Sequence, residues 1–300
     1  MVRSLCEQVI SRYYVSDRKI SSVKISSMTP VRGGDCSDAY KAVLTDGQTF
    51  FVKTNSARNY GFFECETQGL DAIRSTGAIS VPGVIGAEQD SDDCVLVMEL
   101  LESGQKNKGF WEIFGQQLAL MHRADASPFV EGGRFGFMKD NYIGAGKQVN
   151  TPHGDWISFF RDCRLEAKFL EGAHYFDRGE RRKMLYLLDH LDEYLIEPAQ
   201  PSLLHGDLWG GNFMTGPDGL VWLIDPAVYV GHQEADLAMT ELFGGFAPEF
   251  YVSYKRAAGL EPGYRDRRDL YNLYHLLNHL VLFGEGYLYE VLGILRHYAR

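Results

Sequence analysis

One stretch of the sequence, residues 203–225, carries polar residues at a spacing that suits phosphoryl transfer. It contains His205, Asp207 and Asn212 in the pattern H-x-D-L-x-x-x-N, and Asp225 follows after a turn and a short apolar run. Phosphoryl transfer needs an acceptor for the proton of the attacking hydroxyl and oxygen ligands for the Mg²⁺ that accompanies ATP. We predict that Asp207 accepts the proton and that Asn212 and Asp225 are the metal ligands.

The residues between these side chains predict how the backbone brings them together. Gly210 and Gly211 allow the chain to turn Asn212 back toward the metal. Residues 216–219, Gly-Pro-Asp-Gly, predict a turn between two short strands that would place Asp225 beside Asn212. A His-Gly-Asp tripeptide alone could be a simple turn, with its Asp as a helix cap. The spacing of Asn212 and Asp225 after this tripeptide favours a catalytic loop over a simple turn.

A second group of residues, nearer the N-terminus, predicts a site for the nucleotide. Gly33, Gly34 and Ser37 lie between two strand-like runs, where backbone N–H groups could face phosphates. An ordinary hairpin turn is the simpler interpretation of such a loop. Its interest comes from the next strand, which follows an Asp-Gly hairpin signal and ends its apolar run at Lys53.

The helix predicted over residues 60–74 offers Lys53 an acidic partner. Glu66 shares one helical face with Phe63 and Ile73, and a carboxylate on a buried face is normally paired. We predict a Lys53–Glu66 ion pair of the kind that holds nucleotide phosphates in kinases. The alternative is a strand-edge lysine and a solvated glutamate.

A change in composition near residue 102 predicts two domains. Residues 1–101 contain the strand-like runs, and residues 102–300 are mostly helical. We predict an α+β fold, with an antiparallel sheet and one main helix in a small N-terminal lobe and with the catalytic loop and substrate site in a larger helical lobe. Further helices are predicted over residues 110–123, 156–175, 181–195, 232–242, 249–258 and 267–283.

Two other segments predict contacts with ligands. Met98, Glu99 and Leu101 lie at the lobe boundary, where the hinge backbone of a two-lobed kinase would meet the adenine edge. Residues 128–155 are irregular and rich in Gly and aromatic side chains, and long irregular segments in compact domains are often functional. We expect substrate contacts in the second segment.

Charge and cysteine content restrict the partners and the compartment. The formal net charge of −10 argues against nucleic acid as a partner. Five cysteines without a CxxC pair favour a reducing compartment over a disulfide framework. Charged residues precede any long apolar run, and others interrupt the apolar stretch 276–295, so we predict neither a signal peptide nor a membrane span. The prediction is a cytoplasmic protein.

Longer strings of the sequence resemble the fructosamine kinase (ketosamine 3-kinase) family, a branch of the aminoglycoside-phosphotransferase-like kinases. They read LLHGDLWGGN at 203–212, IDPAVYVGHQEADLAM at 224–239 and LYNLYHLLNHLVLFG at 270–284. The resemblance covers almost the whole chain. It implies a protein-kinase-like fold and ATP-dependent phosphorylation of the C3 hydroxyl of ketosamines, which frees the amine.

The resemblance also implies roles for individual residues. It gives Asp207 the role of catalytic base. We add Trp209, Glu234 and Asp236 as hypothetical ketosamine contacts beside the cleft. Trp209 could instead be a packing residue, and Asp236 could cap a helix or brace the catalytic loop. Cys36, in the presumed phosphate loop, is a hypothetical redox switch that links two subunits; an inert thiol is the alternative, and we expect a monomer or weak homodimer.

Three competing functions stay open on the sequence alone. A protein kinase is suggested by Ala247-Pro248-Glu249, but Ile224-Asp225-Pro226 replaces Asp-Phe-Gly. The intervening residues 235–246 predict a packed helix and turn, which leave little room for a mobile activation segment. A kinase for an aminoglycoside, choline or another small hydroxyl acceptor would use the same catalytic residues. A non-catalytic nucleotide-binding protein is disfavoured because the predicted catalytic residues are intact.

Overall fold

A five-stranded antiparallel sheet forms the core of the N-terminal part. The computed structural model describes residues 2–17, 23–31 and 37–299. The strands of this sheet are β1 (Ile25–Pro30), β2 (Asp38–Leu44), β3 (Thr49–Ser56), β4 (Val84–Gln89) and β5 (Asp93–Glu99). They lie in the order β1, β2, β3, β5, β4. The Asp46-Gly47 turn joins β2 to β3, with Gly47 at φ 90°, so the predicted hairpin is confirmed.

Two helices cover the two faces of this sheet. Helix α1 (Val2–Asp17) places Ile10 in a buried cluster with Val95 of β5. Helix α2 (Tyr60–Ser75) joins the cluster that contains Leu96, the next residue of the same strand. Successive side chains of a strand point to opposite faces, so the fully apolar run in β5 requires cover on both sides.

The remainder of the chain is mostly helical. Its helices are α3 (Phe110–Arg123), α4 (Trp156–Phe160), α5 (Ala167–Glu171), α6 (Arg178–Asp189), α7 (Gln233–Leu242), α8 (Pro248–Ala258), α9 (Tyr264–Phe283) and α10 (Leu288–Tyr298). The cluster that contains α2 extends through α3, α4, α7 and α9, so the helices share a core with the inner face of the sheet. Within the described ranges, no helix has both the length and the hydropathy to cross a bilayer.

Three short antiparallel ladders hold the loops between these helices. Strand β6 (Asn141–Ile143) pairs with β7 (Gly146–Gln148), β8 (Ser202–Leu204) with β11 (Tyr229–Gly231), and β9 (Phe213–Thr215) with β10 (Val221–Leu223). The residues of the H-x-D-L-x-x-x-N pattern connect β8 to β9. The β6–β7 hairpin lies within the irregular segment 128–155.

Most predicted helices are present, but one prediction needs correction and one helix was missed. The helix expected over residues 156–175 is interrupted by a π-helical segment, Arg161–Glu166. This segment turns Arg164 into the interior, where its guanidinium donates to Asn150 Oδ1 at 2.8 Å and stacks over the Tyr229 ring. Helix α10 was not predicted; Gly284, at φ 89°, separates it from α9. The lobe boundary at residue 102 stays a prediction.

Candidate active site

The loop from β8 to β9 fixes Asp207 through its neighbours. Gly206 has φ 83°, and a Cβ there would lie 1.9 Å from the Ala227 carbonyl oxygen, so the close approach of the two segments requires glycine. Asn212 Nδ2 donates to Asp207 Oδ2 at 2.9 Å and to the Asp207 backbone carbonyl at 2.8 Å. The Asn212 side chain therefore orients the carboxylate and can offer its amide oxygen to a cation.

Asp225 lies next to Asn212, as the predicted hairpin requires. The backbone N–H of Ile224 donates to the Asn212 carbonyl at 3.1 Å. Asp225 has φ 53°, and among the described residues it is the single non-glycine residue in the left-handed region. Such a conformation costs energy, persists where the surrounding structure imposes it, and concentrates at functional sites. Here it directs the Asp225 carboxylate toward the sheet.

Lys53 joins the sheet to this loop. Its Nζ lies 2.7 Å from Glu66 Oε1, which confirms the predicted ion pair, and it also contacts Asp225 Oδ1. Lys53 is buried, so its charge is balanced by carboxylates from two separate elements. One ammonium thus links β3, α2 and the loop that follows β10.

These contacts give the three groups different proton affinities. Burial opposes the charge of Lys53, but the Glu66 and Asp225 carboxylates outweigh it and raise the pKa of Lys53 above its ordinary value. Burial raises the pKa of Glu66 to about 7 despite the nearby ammonium. Burial also acts on Asp225, yet Lys53 holds the pKa of Asp225 below its ordinary value. Asp225 is therefore the carboxylate of the group that is most firmly ionised at neutral pH.

Two cavities meet at this cluster. The larger, of about 350 Å³, is lined by Asp207, Trp209, Asn212 and residues of α2, and we call it the acceptor cavity after the predicted role of Asp207. The smaller, of about 280 Å³, is more apolar, and we call it the adenine cavity after the predicted adenine contacts that line it. Lys53, Glu66, Ile224 and Asp225 line both cavities. A ligand that extends from one cavity into the other would pass directly over the Lys53 ammonium.

The predicted nucleotide residues that the structure describes line the two cavities, and their contacts with a nucleotide stay predictions. Met98, Glu99 and Leu101 line the adenine cavity. Ser37 lines the acceptor cavity and accepts a hydrogen bond from Asn55 Nδ2 at 3.2 Å. Gly33, Gly34 and Cys36 lie outside the described residues, so the phosphate loop and the redox hypothesis stay predictions.

Of the three hypothetical ketosamine contacts, Trp209 is the one that reaches the acceptor cavity. Its side chain is 36% exposed, and its ring contacts Phe243 edge to face. A Cβ on Gly211 would lie 2.4 Å from the Trp209 ring, so Gly211 is needed for the indole to fold over the loop. An exposed indole at the rim of a polar cavity can stack on the C–H face of a sugar.

Glu234 and Asp236 do not line the acceptor cavity, which corrects their proposed role. Glu234 is 0% exposed and forms a bidentate pair with Arg267, at 2.8 Å to Nε and 2.6 Å to Nη2. Asp236 is 1% exposed and accepts the backbone N–H groups of His205 and Gly206 at 2.7 and 2.8 Å. His122 lies 3.1 Å from the same carboxylate. Asp236 thus braces the catalytic loop, as the alternative interpretation stated.

The β6–β7 hairpin supplies cavity residues that the sequence did not single out. Asn141, Tyr142 and Gly144 line the acceptor cavity together with Phe62 of α2. Sequence reasoning predicted substrate contacts somewhere in residues 128–155 but could not choose among them. The available signal was the Asn-Tyr-Ile-Gly run, in which an aromatic and a β-branched residue precede a glycine, as is typical of a short hairpin strand.

The fold and the site define a class of protein. An antiparallel sheet with a Lys–Glu pair, followed by a helical region with the Asp207, Asn212 and Asp225 arrangement, is the architecture of a phosphotransferase with the protein-kinase-like fold, a class that uses ATP.

Comparison with known proteins identifies the family. The chain belongs to the fructosamine kinase family, whose sequence model matches residues 7–300. It is 38% identical to the "Probable ketoamine kinase" of Synechocystis sp., over 92% of both chains. It is 37% identical to the "Protein-ribulosamine 3-kinase, chloroplastic" of Oryza sativa subsp. indica, over 100% of this chain and 86% of that one. A crystal structure of a protein described as a fructosamine-3-kinase, from Haemophilus somnus, superposes with a TM-score of 0.85 at 24% identity, over 99% of this chain and 97% of that one.

Proposed function

We propose that the protein transfers the γ-phosphoryl group of ATP to the C3 hydroxyl of a ketosamine, such as a ribulosamine or fructosamine adduct. The observation that carries this proposal is the convergence of Asp207, Asn212, Asp225 and the Lys53–Glu66 pair around two connected cavities. Membership of the fructosamine kinase family supplies the acceptor class. Release of the amine after phosphorylation would make the reaction a route of deglycation.

Asp207 would accept the proton of the C3 hydroxyl. As the C3 oxygen forms its bond to phosphorus, the bond from phosphorus to the ADP oxygen breaks, and the hydroxyl proton passes to the Asp207 carboxylate. The hydrogen bond from Asn212 Nδ2 to Asp207 Oδ2 fixes the orientation of this carboxylate. The Asp207 side chain lines the acceptor cavity, where the hydroxyl would arrive.

The donor set beside Asp207 fits magnesium. The Asp225 carboxylate and the Asn212 amide oxygen are ligands of the kind that Mg²⁺ prefers, and the Ile224 to Asn212 hydrogen bond keeps their backbones adjacent. A bound ion would neutralise charge on the phosphates. Lys53 would then exchange Asp225 for phosphate oxygens and keep Glu66 as its partner, while the adenine packs between Met98 and Ile224.

The sugar of the ketosamine would lie in the acceptor cavity against Trp209. A sugar presents apolar C–H groups on one face and hydroxyls at its edge, and an aromatic ring suits the former. The Trp209 ring is held at the cavity rim by Gly211 and Phe243. Trp209 therefore determines which side of the sugar faces Asp207.

The test is ATP consumption with ribuloselysine, fructoselysine and kanamycin in parallel, with Asp207→Asn as the matched blank. We expect turnover of a ketosamine that falls about 10²–10⁴-fold in the variant, the usual contribution of a positioned general base. Turnover of kanamycin alone would show that the protein is an aminoglycoside kinase instead. Ketosamine turnover that survives in Asp207→Asn would refute the assigned base.

A further inference from the structure

The β6–β7 hairpin is fastened to the backbone that follows Asp225. Asn141 Nδ2 donates to the Val228 carbonyl at 2.7 Å, and Gln148 Nε2 donates to the Ala227 carbonyl at 2.9 Å. Gln148 Nε2 also donates to Asn141 Oδ1 at 2.8 Å. Asn141 and Gln148 are both buried, so these bonds are shielded from water. The hairpin is therefore a fixed part of the catalytic region.

Tyr142 projects from this fixed base between the acceptor cavity and α2. Its half-buried side chain lines the same cavity as Asp207 and Trp209. Its ring meets the Phe62 ring edge to face, with centroids 4.3 Å apart and an angle of 72°. A Cβ on Gly61 would lie 3.6 Å from the Tyr142 hydroxyl, so the ring also covers the first turn of α2.

The contact with Phe62 lies one helical turn from the Lys53–Glu66 pair. Residues four apart on a helix share a face, so Phe62 and Glu66 both point toward the cleft. Both line the acceptor cavity. A displacement of Phe62 would move Glu66, and with it the ammonium that would hold the phosphates.

We propose that Tyr142 contacts the sugar of the acceptor and couples acceptor binding to nucleotide binding through Phe62 and α2. This inference rests on the proposed function, because it takes a ketosamine as the occupant of the acceptor cavity. A sugar seated against Tyr142 presses its ring onto Phe62 and favours the position of α2 in which Glu66 holds Lys53. Coupling of this kind is reciprocal, so each ligand tightens the binding of the other by the same factor.

The experiment measures nucleotide affinity by calorimetry with magnesium and a non-hydrolysable ATP analogue, with and without a saturating ketosamine that the enzyme turns over. The ketosamine KM is measured separately with ATP. In the unmodified protein we expect the ketosamine to tighten nucleotide binding by about threefold to tenfold, the size of one aromatic contact. Equal affinity with and without the ketosamine would overturn the coupling.

Three variants separate the two parts of the proposal. Tyr142→Leu is expected to raise the ketosamine KM by about tenfold and to abolish the coupling, because it removes the ring that bridges the sugar and α2. Phe62→Leu is expected to abolish the coupling as well, and it tests the bridge if Tyr142→Leu folds poorly. Tyr142→Phe keeps the ring and is expected to retain both properties.

The matched control is Tyr289→Leu, the same substitution at a side chain that is 78% exposed on α10. It is expected to change neither the ketosamine KM nor the coupling. If Tyr142→Leu behaves like this control while Asp207→Asn abolishes turnover, this inference fails and the proposed function stands. If no ketosamine is turned over by the unmodified protein, the proposed function itself fails.

Discussion

Two networks of paired charges support the catalytic region, and they differ in their access to the cleft. The cleft network consists of Lys53, Glu66 and Asp225. The sealed network consists of His122, Asp236, His232, Glu234 and Arg267. Asp225 keeps 32% of its side chain exposed and lines both cavities, whereas the two carboxylates of the sealed network are at most 1% exposed. Residues of the same types are therefore accessible to a ligand in one network and closed to it in the other.

The difference follows from what each charge can exchange. Lys53 contacts two carboxylates, so a ligand can replace one of them without leaving the ammonium unpaired. Glu234 and Arg267 form a bidentate ion pair. The Asp236 carboxylate already has two backbone N–H groups and His122 as hydrogen-bond partners. A ligand that entered the sealed network would break bonds that nothing replaces. The sealed network therefore supports the catalytic loop, whereas the cleft network can give up one of its contacts to a ligand.

The largest expected effect is on the cleft network. Asp225→Asn should lower kcat/KM for ATP-dependent ketosamine turnover by about 10³-fold, because a neutral amide is a poor ligand for Mg²⁺ and stabilises less transition-state charge. The urea midpoint should change little, since the side chain is partly exposed and Lys53 keeps Glu66 as a partner. Turnover is measured at saturating magnesium, and urea unfolding is followed by circular dichroism.

The control for that prediction is Asp218→Asn, the same substitution in the β9–β10 turn. Its carboxylate bonds the Leu220 N–H and the Trp222 indole N–H in an exposed turn, and it does not line either cavity. Turnover should be nearly unchanged in this control. A loss of activity in Asp225→Asn that is matched by an equal loss of stability would show that Asp225 is structural, and the comparison of the two networks would fail.

The second expected effect is on the sealed network, where a substitution should lower stability and leave the turnover rate nearly unchanged. Arg267→Met leaves the Glu234 carboxylate buried without its cation, which should lower the free energy of unfolding by about 3 kcal/mol. Urea titration measures this change. The kcat of the folded fraction should stay within about twofold, because neither residue reaches the cavities.

A double variant sharpens the second prediction. Arg267→Met combined with Glu234→Leu removes both charges, and it should recover more than half of the lost stability because a well-packed apolar pair often replaces a buried ion pair at no cost. If the double variant is as unstable as the single one, packing around Arg267 rather than its charge explains the loss.

The same contrast shows what the sequence could and could not predict. Spacing located Asp207, Asn212, Asp225 and the partner of Lys53, because these residues lie within short loops or on one periodic helix face. Spacing could not separate Glu234 from the cleft residues. An acidic residue near a catalytic loop has the same appearance in the sequence whether it faces a cavity or a buried cation. The cation that pairs with Glu234 is Arg267, and only the tertiary packing of α7 against α9 brings it near.

Local irregularity was equally hard to predict. The π-helical segment Arg161–Glu166 has an ordinary helical pattern in the sequence. The buried partner of Arg164 is Asn150, which lies in the segment between β7 and α4. The side of the β6–β7 hairpin that faces the cavity depends on two hydrogen bonds, which side-chain amides donate to backbone carbonyls after Asp225. Long-range hydrogen bonds of this kind leave no periodic signal.

The smallest expected effect is the pH dependence of the sealed network. Burial lowers the pKa of His232 to about 3 from an ordinary value of 6.5, and the nearby Arg267 cation acts in the same direction. Glu234 Oε2 lies 4.0 Å from the ring. A histidine with a depressed folded pKa contributes stability that is present above the unfolded pKa and is lost as the pH falls toward the folded value. Between pH 7.5 and 5.5 this loss should be about 1.4 kcal/mol.

His232→Asn isolates this contribution. His232 Nδ1 accepts the Glu234 N–H at the start of α7, and an asparagine oxygen can replace that cap without titrating. The free energy of unfolding of the variant, from urea titrations at both pH values, should therefore fall by about 1.4 kcal/mol less than that of the unmodified protein. An equal fall in both proteins would mean that His232 becomes protonated in the folded state over this pH range. The sealed network would then admit a proton, and it would differ less from the cleft network than its burial indicates.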